Sequence, residues 1–419
     1  MACVNKPASE DALTSMIRDH CATIRSPRVV SAGHRAMPTR LLSLLDATLP
    51  EYRLNMLNAP PGIPTREGVV HETSFVGVGM RTSPSLAYVP ARLSLVPTLF
   101  SRTLQPDIVV VQTSAPIDGK VSLGTEVNVI PAAIEAARRR GGLVLAQVNE
   151  KMPYTFGDGE YDLGGFDGWT EGFDTISQPS PVTPAGEGSG SASVIGEYCA
   201  SRVRSGATLQ LGIGEVPDAT LPGLVRLRDL GLWTEMFSDG VLTLQEAGAL
   251  DPDRLITSSF AVGSPELLEW MHLNPRVRML RTETINAPAN VAKQPGMTSI
   301  NTAMQVDLFA QANASRRNAR IHSGFGGQTD FIVGSLHAPG GQAIMALRSW
   351  HPKADVSTVV PLVDEPVTSF QASAIITEQG IAEILGGSEK EQARAIIENA
   401  AHSSVRDELW EEAGYLGLA

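Results

Sequence analysis

Three short stretches of this chain gather residue types that can do chemistry. In the first, Leu211-Gly212-Ile213-Gly214-Glu215-Val216-Pro217-Asp218-Ala219, a glycine turn follows a strand-like segment and opens a helix-like one. Backbone N–H groups at such a turn can approach a phosphate or polarise a carbonyl. Pro217 and Asp218 fill the late positions, so the G-x-G-x-x-G dinucleotide fingerprint is not met. The second, Gly324-Phe325-Gly326-Gly327-Gln328, lets the main chain come close to a ligand. The third, Leu232-Trp233-Thr234-Glu235-Met236-Phe237, sets one carboxylate inside an apolar, strand-like run. A carboxylate there needs partners, or serves as a nucleophile or base. Taken singly, each stretch also fits a plain structural role: a strand–helix turn, a tight turn, an edge glutamate.

Other chemistries find little support. The eight histidines are scattered without metal-ligand spacing, and the three cysteines (Cys3, Cys21, Cys199) show no paired spacing. Neither a G-x-S-x-G elbow nor a P-loop is present. We therefore expect no metal. The formal charge of −12 argues against nucleic acid, since the one tight basic run, Arg138–Arg140, reads as the solvated end of a helix. Charged residues near Met1 interrupt any leader-like apolar run, and no stretch reaches the roughly 18 apolar residues of a membrane span. The expectation is a cytoplasmic protein that meets no membrane.

A length of 419 residues suggests two domains, and 42% hydrophobic with 19% charged residues is an ordinary globular balance. Short apolar runs alternate with helical periodicity. Arg28–Ala32, Asp107–Gln112, Leu143–Val148, Thr208–Leu211, Arg254–Val262, Val277–Leu280, Ala343–Leu347 and Ser373–Ile376 read as strands. Segments 1–26, 37–49, Val129–Arg140 and Val194–Arg204 read as helices. This rhythm predicts an α/β fold with mostly parallel sheets. The Pro-, Gly- and Ser-rich stretch around 178–192 reads as a linker. The division expected is an N-terminal domain 1–180, a linker 181–192 and a C-terminal domain 193–419 carrying all three stretches.

Seven segments occur together in one order: Ser114–Gly124, Ala146–Asp158, Leu209–Ala219, Asp229–Gly240, Ser299–Gln311, Ser323–Gly334 and Thr377–Gly387. On these the chain resembles the acetyl-CoA hydrolase/transferase family, a branch of the class I CoA-transferases, over nearly its whole length. The resemblance implies two similar open α/β domains with the active site between them. It implies ping-pong transfer of CoA from an acyl-CoA to a short carboxylic acid through a glutamyl-CoA thioester on Glu235. Coenzyme A then enters as the acyl-CoA substrate. Gly212, Ile213, Gly214, Glu215 and Val216 are implied to line the CoA thioester, with Ile213 N–H as one oxyanion donor. Gly324, Gly326 and Gly327 face it, the second donor being Gly326 or Gly327. Gln147, Asn149, Met152 and Trp233 are implied acyl-side residues. Glu378 sits in a family motif, but its strand-like, apolar setting leads us to expect a structural carboxylate. The family implies a homo-oligomer.

Departures from the family's pattern are Trp233 for a histidine, Glu215 for a small residue, Ala310 for a glycine that would let CoA approach, and Val333 for an arginine. The first alternative is an acyl-CoA hydrolase using the same glutamate, which a dry pocket around Trp233 and Phe237 would disfavour. The second is a non-catalytic CoA-binding protein.

Overall fold

The computed structural model describes residues 6–176, 189–212 and 214–419. The chain forms two units, Met1–Pro179 with Thr257–Ile285, and Ser180–Ile256 with Asn286–Ala419. The segment 257–285, which sequence reading leaves in the second domain, belongs to the first. Its backbone explains why: Ala261 N–H donates to Thr125 O (2.8 Å), Thr282 N–H to Asn128 O (2.9 Å), and Val127 N–H to Ser259 O (3.0 Å). The strand Val277–Met279 also pairs in parallel with Phe156–Gly157. Such returns are invisible to local periodicity. The run 254–262 is correspondingly broken into Ile256–Ser258 and Phe260–Ala261, because Ser258 Oγ donates to Phe260 O and kinks the chain.

The first unit contains helices α1 (Glu10–Cys21), α2 (Thr39–Thr48) and α3 (Ile130–Arg139) and one fully parallel sheet. Its strands are β1 (Arg28–Ser31), β2 (Tyr52–Asn55), β3 (Val69–Thr73), β4 (Leu86–Tyr88), β5 (Ile108–Thr113), β6 (Leu143–Val148) and β7 (Gly168–Glu171). They lie in the order β7-β6-β5-β1-β2-β3-β4. Every residue of β5 and β6 is buried, as a strand covered on both faces requires. The order reverses between β1 and β5. Beyond their carboxyl ends lies the buried Glu126, which accepts from Gly33 N–H (3.0 Å) and Asn128 Nδ2 (3.1 Å). His34 Nδ1 stands 3.3 Å from its other oxygen.

The second unit opens with helix α4 (Ser189–Ser201), strand β8 (Thr208–Leu211), helix α5 (Glu215–Leu224) and strand β9 (Gly231–Trp233). Then come β10 (Thr298–Thr302), helix α6 (Gln328–His337), β11 (Gln342–Ala346), β12 (Ala374–Thr377), β13 (Gly380–Glu383) and helices α7 (Glu389–Asn399) and α8 (Arg406–Tyr415). Helix α4 begins inside the predicted linker, and the rest of that linker lies mostly outside the described residues. The sheet order is β13-β12-β11-β10-β8-β9, parallel except for the final β12–β13 hairpin. Both units are thus α/β with mostly parallel sheets, as the strand–helix rhythm predicts.

Strand alternation builds two cores in this unit. From β11, Ala343 and Met345 join Ile332, Ile396, Ile397 and Leu409 on the face covered by α6, α7 and α8. Ile344 and Ala346 join Ile195, Cys199 and Val216 on the face covered by α4 and α5. Each fully buried isoleucine contributes about 1.5–3 kcal/mol. Helix α5 also sits against α4 through two glycine contacts. A Cβ at Gly196 would stand 2.1 Å from Ala219 O, and one at Gly223 would stand 2.3 Å from Ala200 Cβ. Because Ala219 O is main chain, it cannot swing aside. Gly196→Ala is therefore expected to destabilise the fold by about 1–3 kcal/mol in chemical denaturation; an unchanged midpoint would show that α5 is not seated by this contact.

Candidate active site

The second unit's sheet also reverses direction, between β8 and β10. Ligands of open α/β sheets bind at such points, beyond the carboxyl ends of the strands. The glycine turn follows β8 here. Gly214 is the N-cap residue of α5, with φ 124° and ψ −177°, a conformation open essentially to glycine alone, and no atom lies within 4 Å of where its Cβ would be. No side chain caps this helix, and Asp218 N–H is the donor that closes the first turn, onto Gly214 O (3.0 Å). The first-turn N–H groups of Glu215 and Val216 have no partner within the helix. Ile213 lies outside the described residues.

Glu235 follows β9, the neighbour of β8. Buried Thr234 fixes it there: its hydroxyl lies 2.7 Å from Met236 O and 3.1 Å from Leu211 O. One side chain thus ties the turn carrying Glu235 to the strand end carrying Gly212. Trp233 ends β9 half-buried, while Met236 and Phe237 are buried and face a small cavity of about 20 Å³ with Leu211, Pro217 and Thr234.

The carboxylate itself rests on the second glycine loop. Asn286 Nδ2 donates to Glu235 Oε2 at 2.7 Å. A Cβ on Gly327 would stand 1.6 Å from that oxygen and 2.2 Å from Asn286 Nδ2. Gly327 is the N-cap residue of α6, so Glu235 sits at the positive end of a ten-residue helix. Gly326 takes a left-handed φ of 56° to deliver that approach, and Gly324, Gly326 and Gly327 are all buried. Asn286 is fully buried and its Oδ1 has no hydrogen-bond partner among the described residues. Sequence reading missed Asn286, which precedes the short helix Pro288–Val291 and carries no local motif. It stands 51 positions from Glu235, so only the folded chain brings the two together.

The other sequence-predicted residues separate into two groups. Gln147 is fully buried in the first unit, and its Oε1 accepts from Arg40 N–H (3.0 Å) and Leu41 N–H (3.3 Å) at the start of α2. Asn149 donates to Gln112 Oε1 (2.7 Å) and Asp174 O (2.8 Å) and accepts from Lys151 N–H (3.0 Å). Met152 is buried, with Thr125 N–H 3.4 Å from its sulfur. These three side chains are held by contacts within the first unit. Glu378 accepts from Ser349 N–H (2.9 Å) and from the Ser349 hydroxyl, and so holds the segment after β11.

Two departures acquire physical explanations. Ala310 is buried in the α6–α8 core and takes a left-handed φ of 58°. That left-handed backbone conformation accounts for the glycine expected there. The charge of Glu215 is met by Arg348, with which it forms an ion pair. Beside that pair a cleft of about 1030 Å³ opens at the ends of β10 and β11, lined by Arg316, Arg317, Arg348 and Lys353 among others.

Comparison with known proteins places this geometry in a family. A sequence profile of the acetyl-CoA hydrolase/transferase C-terminal domain matches residues 263–413. The 4-hydroxybutyrate coenzyme A transferase of Clostridium kluyveri is 34% identical over 409 residues, covering 92% of this chain and 93% of that one. The crystal structure of RipA from Yersinia pestis is similar with a TM-score of 0.87 at 25% identity, over 98% of this chain and all of that one. A 4-hydroxybutyrate CoA-transferase from Porphyromonas gingivalis gives a TM-score of 0.76 at 27% identity, over 96% of each chain. With 93% of a relative matched at 34% identity, the chain belongs to the acetyl-CoA hydrolase/transferase family.

Proposed function

We propose that the protein is an acyl-CoA:carboxylate CoA-transferase in which Glu235 is the covalent nucleophile. The observation that carries this reading is the seat of the carboxylate. It follows β9, next to the strand at the switch point, accepts from Asn286 at 2.7 Å and stands against the bare backbone of Gly327 at the start of α6. A purely structural carboxylate gains nothing from two glycine turns opening beside it.

The reaction balances through this one residue. A Glu235 oxygen attacks the thioester carbonyl, the C–S bond breaks, and CoA leaves as the thiolate. The thiolate attacks the glutamyl carbonyl of the resulting mixed anhydride, releasing the donor acid and leaving a glutamyl-CoA thioester. An acceptor carboxylate then attacks that thioester, and the expelled thiolate takes the new acyl group from the second anhydride, restoring Glu235. Each tetrahedral intermediate needs an oxyanion donor. Ile213 N–H and the N–H of Gly326 or Gly327 are the assigned donors, and the α6 dipole favours the negative charge. The acids are short-chain carboxylates. Hydrolysis is the second reading, supported by the dual description of the family; there water, rather than an acid, resolves the same intermediate.

Mass spectrometry tests the nucleophile directly. Incubation with acetyl-CoA or butyryl-CoA without acceptor is expected to leave a hydroxylamine-labile CoA adduct on the Glu235 peptide, absent in Glu235→Gln. Adduct decay in water as fast as with any carboxylate would favour the hydrolase, and no adduct from a broad acyl-CoA panel would overturn the covalent mechanism. Gly327→Ala must push the carboxylate aside by an ångström or more. We expect kcat/KM to fall at least about 100-fold with the circular dichroism spectrum retained. Asn286→Asp would set a second carboxylate against the first. Like charges raise carboxyl pKa values, so the acid limb of the pH–rate profile is expected to move to higher pH, while an unmoved limb would exclude Asn286 as the partner of the reacting group.

A further inference from the structure

The cleft beside the glycine turn carries more cationic character than the transfer chemistry uses. Arg316, Arg317, Arg348 and Lys353 line it together with Glu215, Asp364 and Glu365. Glu365 is taken up locally, accepting from Ala319 N–H at 2.8 and 3.0 Å. Arg348 is the cleft cation that ion-pairs with Glu215. Its side chain is 18% exposed and its guanidinium is held by Glu215, which is 38% exposed. The backbone that follows the Arg348 side chain is anchored twice. Its carbonyl accepts from Thr358 Oγ1, and the following residue, Ser349, is gripped by Glu378. Glu215, for its part, stands on the first turn of α5, where N–H groups without partners inside the helix and the helix dipole favour an anion. The cation, the helix N-terminus and the cleft therefore converge on one carboxylate, in the position that a phosphate oxygen would satisfy equally well.

Building on the acyl-CoA reading above, we propose that Glu215 is an internal stand-in for a phosphate group of the CoA nucleotide. It holds Arg348 when no nucleotide is bound and gives Arg348 up to the phosphate when one enters. A carboxylate on the protein thus competes with the ligand for a single guanidinium. It lowers affinity for acyl-CoA and speeds its release, without touching the reacting atoms. Arg348, fixed through Ser349 and Glu378, is the receiving cation.

Calorimetric titration of CoA, 3′-dephospho-CoA and pantetheine into the full-length protein separates the possibilities. Glu215→Gln is expected to bind CoA about 2- to 5-fold more tightly, the scale of a partly exposed ion pair. Arg348→Gln is expected to bind it about 10- to 100-fold more weakly, with Arg348→Lys in between. The double variant should match Arg348→Gln, because Glu215 has then nothing to withhold. Pantetheine, which lacks the nucleotide, should bind all variants alike. Loss of the Arg348 effect with 3′-dephospho-CoA identifies the 3′-phosphate as the group received, and its retention identifies the diphosphate. In steady state, Glu215→Gln should lower KM for acyl-CoA and leave KM for the acceptor acid unchanged. The proposal is overturned if Glu215→Gln binds CoA no more tightly than the parent, if the Glu215 effect persists without Arg348, or if pantetheine shifts in parallel. Absence of CoA binding by the unaltered protein would instead remove the acyl-CoA reading itself, a separate result.

Discussion

The carboxylate of Glu235 occupies the space that a side chain at position 327 would fill. Much of the second unit's local geometry follows from that exclusion. Residue 327 must be glycine, the preceding Gly326 must turn through a left-handed conformation, and α6 must start at that point and run away from the carboxylate. Asn286 supplies the hydrogen bond that a partly buried carboxylate requires, and Thr234 fixes the backbone from which Glu235 projects. A carboxylate held this way has little conformational freedom left to lose.

The parallel sheet supplies the frame for these contacts. Its order reverses between β8 and β10, and the helices leaving the two strands pack on opposite faces, with Val216 of α5 in one core and Ile332 of α6 in the other. The divergence leaves a gap at the strand ends. Two helix N-termini open there, α5 after Gly214 and α6 after Gly327, and both carry the partial positive charge suited to oxyanions and phosphates. The tight α4–α5 contact at Gly196 and the grip of Glu378 on Ser349 lie away from the carboxylate, yet they set where α5 and Arg348 stand.

Departures from the family's pattern look different once their surroundings are known. Glu215 reads as an obstacle to an anionic ligand, but it is matched by Arg348, 133 positions away. Ala310 reads as a lost approach to a ligand, but it lies in the core and concerns the conformation of a turn. Gln147 and Asn149, polar residues at the end of a buried strand, read as substrate contacts. In the folded chain their amides satisfy the N–H groups at the start of α2 and the carbonyl of Asp174. A buried amide must find partners, and the nearest ones are usually in the protein's own backbone.

Local pattern alone determined a good deal of this protein. Continuous apolar runs such as 108–111 and 143–146 announce strands covered on both faces, because helices that pack above and below leave neither face to water. Glycines after a strand announce the turns, and a lone carboxylate in an apolar run announces Glu235, since such a group is costly without a purpose. The tertiary structure decided what pairing across distance requires. The return of 257–285 to the first unit, the arrival of Asn286 at Glu235 and the union of Arg348 with Glu215 each join residues that are far apart in the chain. Periodicity reports only the environment of each segment, buried or exposed, and carries no information about which segment supplies the partner.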